Sequence, residues 1–222
     1  NINPVVVING APTSSPEGTA INMTSAVTDS GSADTFTYAW SVTKNGAAYA
    51  SSSAANFGFT PNDNATYVVS LTVTDDEGGQ GATTRNITVT NVAPTLTAGP
   101  NATINEDGTY SNTLTTFADV GTIDTWTATA DYGDGTGSQP VTINANKSLN
   151  LNHTYAVPGV YNAVITVTDD DGGTARSASD VMVSLNQTSA FTSLGKAAFF
   201  DCINDYIDVT SYNGQTLEQW LG

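Results

Sequence analysis

Apolar and polar residues alternate with a period of two along several short stretches: Thr35 to Val42, Thr66 to Thr74, Thr83 to Thr90, Thr125 to Tyr132, Val160 to Thr168 and Ser179 to Ser184. Such alternation turns one face of a strand into a core and the other toward water. The segments between are rich in Gly, Asn, Asp and Ser and supply turns. From Ser189 the period changes. Phe191, Leu194, Ala198, Phe199, Ile203, Tyr206 and Ile207 recur at three- and four-residue steps, and Asp201, Asp205 and Asp208 share another face. This predicts an amphipathic helix, weakened at its start by Gly195 and followed by a turn at Asn213-Gly214 and a short helical piece carrying Trp220. The expected class is therefore all-β, with a short helical C-terminal tail.

The alternating pattern occurs twice. Thr72-Val73-Thr74-Asp75-Asp76-Glu77-Gly78-Gly79 returns 94 residues later as Thr166-Val167-Thr168-Asp169-Asp170-Asp171-Gly172-Gly173, and Asn1-Ile2-Asn3-Pro4 returns at an offset of 90 as Asn91-Val92-Ala93-Pro94. The four extra residues fall around Asp131-Tyr132-Gly133-Asp134-Gly135-Thr136-Gly137, where Asp-Gly signals a tight hairpin. The boundaries drawn from this are a first sandwich over 1–92, a second over 93–185 and a tail over 186–222. About seven strands in some 90 residues indicate an antiparallel sandwich, with Trp40 and Tyr67, and correspondingly Trp126 and Tyr161, as core residues. Because Asn1 to Pro4 look like the linker, the chain is expected to start at a domain boundary, as a processed protein or as a piece of a longer array.

Composition narrows the function. Charged residues make up 12% of the chain and the net charge is −16, with five basic residues scattered singly. No basic patch exists to neutralise phosphates, which excludes nucleic acid as a partner. No apolar run is long enough to span a membrane. Cys202 is the single cysteine, so each sandwich must stand on its own core without an intrachain disulfide.

Three segments of the second repeat, Asp131-Tyr132-Gly133-Asp134-Gly135, His153-Thr154-Tyr155-Ala156-x-Pro158-Gly159-x-Tyr161 and Val164-Ile165-Thr166-Val167-Thr168-Asp169, resemble the signature of the PKD (polycystic kidney disease) domain, an Ig-like sandwich. The first repeat is a divergent copy. It keeps Tyr38-Ala39-Trp40-Ser41-Val42, Thr60-Pro61-Asn62-Asp63-Asn64-x-x-Tyr67 and the Leu71 to Asp75 strand, but lacks the Gly-Asp-Gly hairpin and the His-Thr-Tyr. The resemblance implies extracellular spacers, adhesion modules or accessory parts of secreted enzymes, as in repetitive surface proteins of bacteria. It identifies a fold far better than a function.

The Ig-like arrangement also implies where the acidic turns lie. The B-C and F-G loops share the end at which the chain enters each domain. Asp119 and Asp124 then flank one loop and Asp169, Asp170 and Asp171 form the other, close to Asn91 in the linker. In the first repeat Asp29, Asp34, Asp75, Asp76 and Glu77 form the matching group. Carboxylates gathered in this way repel one another, and Ca2+, with six to eight oxygen ligands, relieves that repulsion. The alternative is that Asp and Gly simply suit tight turns and stay solvated. The Asp131 to Gly135 segment has glycine where an EF-hand needs ligands and reads as a turn at the opposite end.

Catalysis finds no support in the chain. His153 is the single histidine and falls on the strand motif, and there is no nucleophile elbow, phosphate loop or Cys/His metal spacing. The leading expectation is a secreted or cell-surface structural and adhesive module: a Ca2+-stiffened rod, assembling into a fibre or surface layer. Its partners would be neighbouring copies, other surface or matrix proteins, or glycans. Phe191, Leu194, Phe199, Phe200 and Trp220 of the tail are the candidate partner contacts, and Val5 to Ile8 a candidate strand edge. The alternative is an accessory polysaccharide- or protein-binding segment of a larger secreted hydrolase, which an exposed row of aromatics would favour.

Overall fold

A computed structural model describes residues 1–31 and 33–185. The helical tail expected over 186–222, with its proposed partner contacts, lies outside the described residues.

Among the described residues the first domain has eight strands: β1 (Val5–Asn9), β2 (Ser14–Pro16), β3 (Ile21–Thr28), β4 (Phe36–Lys44), β5 (Ala47–Ser52), β6 (Asn56–Phe59), β7 (Ala65–Asp75) and β8 (Gln80–Thr90). They form two sheets, β1-β3-β6 and β2-β8-β7-β4-β5. All pairings are antiparallel except β2 with β8. The alternation in β7 works as the sequence predicts: Tyr67, Val69, Leu71 and Val73 face inward, fully buried. Each such apolar side chain withdrawn from water contributes about 1.5–3 kcal/mol before entropy is counted. Trp40 is buried against them and its indole N–H donates to the Ala54 carbonyl at 2.9 Å. The Tyr67 hydroxyl donates to the Asp63 carbonyl at 3.1 Å, and burial pushes its phenol up to about 12. β1 stands at a sheet edge, with Val6 and Ile8 inward and Val5 and Val7 exposed.

The second domain has ten: β9 (Thr95–Thr97), β10 (Ala102–Asn105), β11 (Thr109–Asn112), β12 (Thr116–Ala118), β13 (Trp126–Asp131), β14 (Ser138–Pro140), β15 (Thr142–Ile143), β16 (Leu149–Thr154), β17 (Gly159–Asp169) and β18 (Thr174–Ser184). The sheet β10-β18-β17-β13-β14 repeats the five-stranded sheet of the first domain, including one parallel pair, β10 with β18. β11-β16-β15 and β12-β9 complete the opposing layer.

One expectation about the core is corrected. Tyr161 and Trp126 are only half-buried, unlike Tyr67 and Trp40. The volume is instead filled by Tyr110, Tyr132 and Tyr155. Tyr132 arrives from the four-residue insertion, and the Tyr155 hydroxyl donates to its carbonyl at 3.0 Å. Tyr161 stacks outside Tyr155 with ring centroids 4.5 Å apart. His153 has a structural place: its ring lies flat on Tyr132 at 4.1 Å, and Nε2 meets Asp134 Oδ2 at 2.7 Å. Asp131 and Asp134 cap the insertion by accepting the N–H groups of Gly133 and Thr136, and Gly133, Gly135 and Gly137 take positive φ, as a tight turn requires.

Candidate interdomain metal centre

The acidic turns share one plan in both domains, except that the Asn meets Oδ2 of Asp169 but Oδ1 of Asp75, whose buried Oδ2 has no partner among the described residues. In the β17–β18 turn, Asp169 Oδ1 accepts the N–H groups of Asp171 (3.0 Å) and Gly173 (2.7 Å), and Oδ2 accepts the Asn91 amide at 2.9 Å. A Cβ on Gly173 would stand 2.4 Å from Asp169 Oδ2, so glycine is what lets the carboxylate close over the turn. In the β7–β8 turn, Asp75 Oδ1 accepts from Glu77 (3.0 Å), Gly79 (2.7 Å) and Asn1 (3.2 Å). Both aspartates are buried, at 5% exposure. Their neighbours Asp170 and Asp76 accept the N–H groups of Thr125 (2.9 Å) and Thr35 (3.2 Å), tying this turn to the loop ahead of β13 or β4. Asp169, Asp170, Asp75 and Asp76 thus serve as organisers of the loops.

Asp119 and Asp124 hold a different position. Asp119 Oδ1 accepts the Gly121 N–H at 3.2 Å and its Oδ2 accepts the Trp126 indole N–H at 2.8 Å, so each of its oxygens has a donor from its own domain. Asp124 folds against Gly121, where a Cβ would stand 2.0 Å from its Oδ2. It is 6% exposed, and among the described residues neither of its oxygens has a hydrogen-bond partner.

The first domain meets this group from the other side. Glu17 follows β2, its N–H held by the Thr90 carbonyl at 3.1 Å. It is 1% exposed; Oε1 accepts the Val92 N–H at 2.8 Å, and Oε2 has no partner among the described residues. Asp63 pairs with Lys44. The two domains also touch through the Thr122 N–H on the Asn62 carbonyl at 3.1 Å, and through Val120 over Gly18.

Glu17, Asp119 and Asp124 each bring a carboxylate oxygen within 4.8 Å of the other two, and so do Asp63, Asp124 and Asp171. Two oxygens on opposite sides of one Ca2+, at about 2.4 Å each, stand about 4.8 Å apart, so both groups have the span of a single coordination sphere. Burial first, and then the charges of Glu17 and Asp119, push Asp124 up to about 6. Burial also raises Glu17, against the lowering effect of the Val92 N–H. A divalent cation would reverse both penalties at once.

Of the residues expected from sequence at this joint, Asp119, Asp124 and Asp171 enter these groups, while Asp169 and Asp170 enter neither and accept hydrogen bonds from the turn, Asn91 and Thr125. Asn91 donates to Asp169 and keeps a buried Oδ1 without a partner among the described residues. At the other pole Asp29, Asp34 and Asp75 form a third group, with Asp76 and Glu77 exposed outside it. Glu17 and Asp63 were not foreseen, because they sit in loops at the far end of the first repeat. For Glu17 a signal was available after β2, since Glu106 recurs at the same place in the second domain, its N–H on the Ser184 carbonyl at 2.7 Å.

No curated protein sequence matches the chain. Among solved structures it is similar to the fibronectin(III)-like modules of Clostridium thermocellum CbhA, at 17% identity over 82% of this chain and 96% of that one, with a TM-score of 0.35. A structure from a 1.5-MDa bacterial ice-binding adhesin aligns at 20% identity over 83% and 66%, TM-score 0.30. Bacteroides ovatus SGBP-B, solved with a mixed-linkage heptasaccharide, aligns at 14% identity over 83% and 48%, TM-score 0.33. Sequence profiles are more specific: residues 91–184 match the PKD domain and residues 14–89 the K319L-like PKD domain. The chain belongs to the PKD family, and residues 14–184 comprise two PKD domains in tandem.

Proposed function

We propose that this protein is an extracellular or cell-surface structural and adhesive module, non-catalytic, in which Ca2+ at the joint stiffens the two PKD domains into a rod that serves as a repeating unit of a fibre or surface layer. The observation that carries this reading is the buried pair Glu17 and Asp124, one from each domain, with three carboxylate oxygens lacking any partner among the described residues. Buried ionised oxygens without donors cost several kcal/mol, and a cation held between them would turn that cost into a tie across the joint. Membership of the PKD family supports the extracellular setting.

The reading as a sugar-binding accessory is less well supported. Stacking on sugar rings needs exposed aromatic faces, whereas among the described residues the exposed large apolar side chains are aliphatic or Met, such as Val5, Leu114, Val157, Val160 and Met182.

The test is a Ca2+ titration of chelated protein, followed by calorimetry, thermal unfolding and small-angle scattering. Heat of binding, a higher Tm and a narrower distribution of end-to-end distances are expected. Absence of all three removes the proposal. Glu17→Gln, which keeps an acceptor for the Val92 N–H but removes the charge, should lose most of the Ca2+-dependent narrowing.

A further inference from the structure

We infer that the joint is a two-cation centre, in which Asp124 is shared between the cations and the first domain supplies one ligand to each, Glu17 to the inner and Asp63 to the outer. This rests on the reading of the joint as a Ca2+ site, and extends it in ligand identity and stoichiometry.

Asp124 alone belongs to both groups, with Glu17 and Asp119 on one side and Asp63 and Asp171 on the other. A carboxylate with two uncommitted oxygens can give one to each of two cations. Asp124 meets that requirement: it is 6% exposed and neither oxygen has a partner among the described residues. Glu17 has one oxygen fixed by the Val92 N–H and the other buried and free, as suits a ligand already oriented by the backbone.

Charge decides between one cation and two. Glu17, Asp63, Asp119, Asp124 and Asp171 carry five negative charges, and Lys44, paired to Asp63, carries one positive charge. Two divalent cations neutralise the remaining four of these groups, while one leaves two negative charges there, to which Asp170, outside both groups, adds its own at Asp124. The two positions differ in kind. The inner cation sits among the buried Glu17 and Asp124 and the half-buried Asp119, whereas the outer one is flanked by the exposed Asp171 and by the Lys44 ammonium. The outer cation therefore binds more weakly and Lys44 is its competitor.

Native mass spectrometry of the full chain, titrated with Ca2+ after chelation, counts the ions directly. Relative to the wild type, Asp124→Asn is expected to lose two ions, and Glu17→Gln and Asp63→Asn one each. Lys44→Gln should keep the full count and tighten the weaker ion on the order of tenfold, the effect of removing one nearby like charge; a merely structural role for Lys44 would not move that affinity upward. If Asp63→Asn binds as many ions as the wild type, or Asp124→Asn loses only one, the two-cation centre is overturned and the single-Ca2+ joint remains. If the wild type binds no Ca2+, both fall.

Discussion

The Glu17 carboxylate accepts the Val92 N–H at 2.8 Å, so a residue 75 positions upstream holds the linker by its backbone, while its second oxygen lies buried without a partner among the described residues. The linker is thereby tied to the body of the first domain before any cation is considered. A buried charge at such a hinge makes the joint sensitive to whatever neutralises it: a proton or a metal.

Acidification should stabilise the chelated protein. Asp124 is raised from its ordinary value of 3.8 to about 6, so between those values the folded state binds more protons than the unfolded state. Stability therefore falls as pH rises through this window, on the order of 2 kcal/mol in all. Glu17 is raised too and acts in the same direction. In EDTA, Tm should climb from pH 7 to pH 5, whereas in saturating Ca2+ it should fall, because protons then compete with the metal. Parallel curves in the two buffers would contradict the assignment of Asp124.

Gly18→Ala should loosen the joint and spare the cores. Gly18 has φ +69°, and its Cβ would stand 2.8 Å from the Val120 Cβ. Positive φ alone does not forbid a side chain here, since Asp107 occupies the matching position of the second domain at φ 60°. The clash with Val120 is the larger obstacle. A loss of about 2 kcal/mol is expected from the two effects together, and Val120→Gly, which removes the clashing Cβ, should restore about half of it in denaturant titrations, measured against Val120→Gly alone. No recovery in the double variant would remove Val120 as the cause.

Asp134→Ala tests the insertion. Hydrogen bonds from Thr136 and His153 outweigh the desolvation of Asp134 and hold it down at about 2. Since the folded value is depressed, this stability is present above pH 4 and disappears as pH falls toward 2. The substitution should cost the second domain about 1–2 kcal/mol at pH 7 and almost nothing at pH 2, measured by urea unfolding. Ca2+ binding should be unchanged, because the insertion lies at the end of β13 away from the joint.

Asp169→Ala and Asp75→Ala should each be severe. Each removes a buried carboxylate that organises two turn N–H groups and an Asn side chain, at a cost of about 2–4 kcal/mol to its own domain. Hydrogen exchange should show the loss first in the hairpin that each aspartate closes. Equal protection in variant and wild type would reduce these residues to ordinary turn formers.

Much of this was legible in the chain. Period-two alternation located Trp40, Tyr67, Val69, Leu71 and Val73 as one face of a sheet, because a strand must turn alternate side chains to opposite sides. The twin Thr-Val-Thr-Asp turns marked two copies of one domain, and their spacing placed a hairpin insertion at Asp131 to Gly137. The resemblance to an Ig-like sandwich places Asp119 and Asp124 beside the linker, because loop order there follows from topology. Which carboxylates face the joint was not legible. Asp169 and Asp171 are two residues apart and look alike in sequence, yet Asp169 accepts two N–H groups of its own turn and the Asn91 amide, while Asp171 brings an oxygen within 4.8 Å of Asp63 and Asp124. Tyr161 stays half-buried outside Tyr155 because Tyr110, Tyr132 and Tyr155 already fill a core packed to the density of a crystal. Glu17 and Asp63 became neighbours of Asp124 only when two domains were set end to end. Local alternation and turn chemistry, acting over a few residues, determined the elements and their repeat; the distances between charges far apart in the chain were decided by tertiary packing alone.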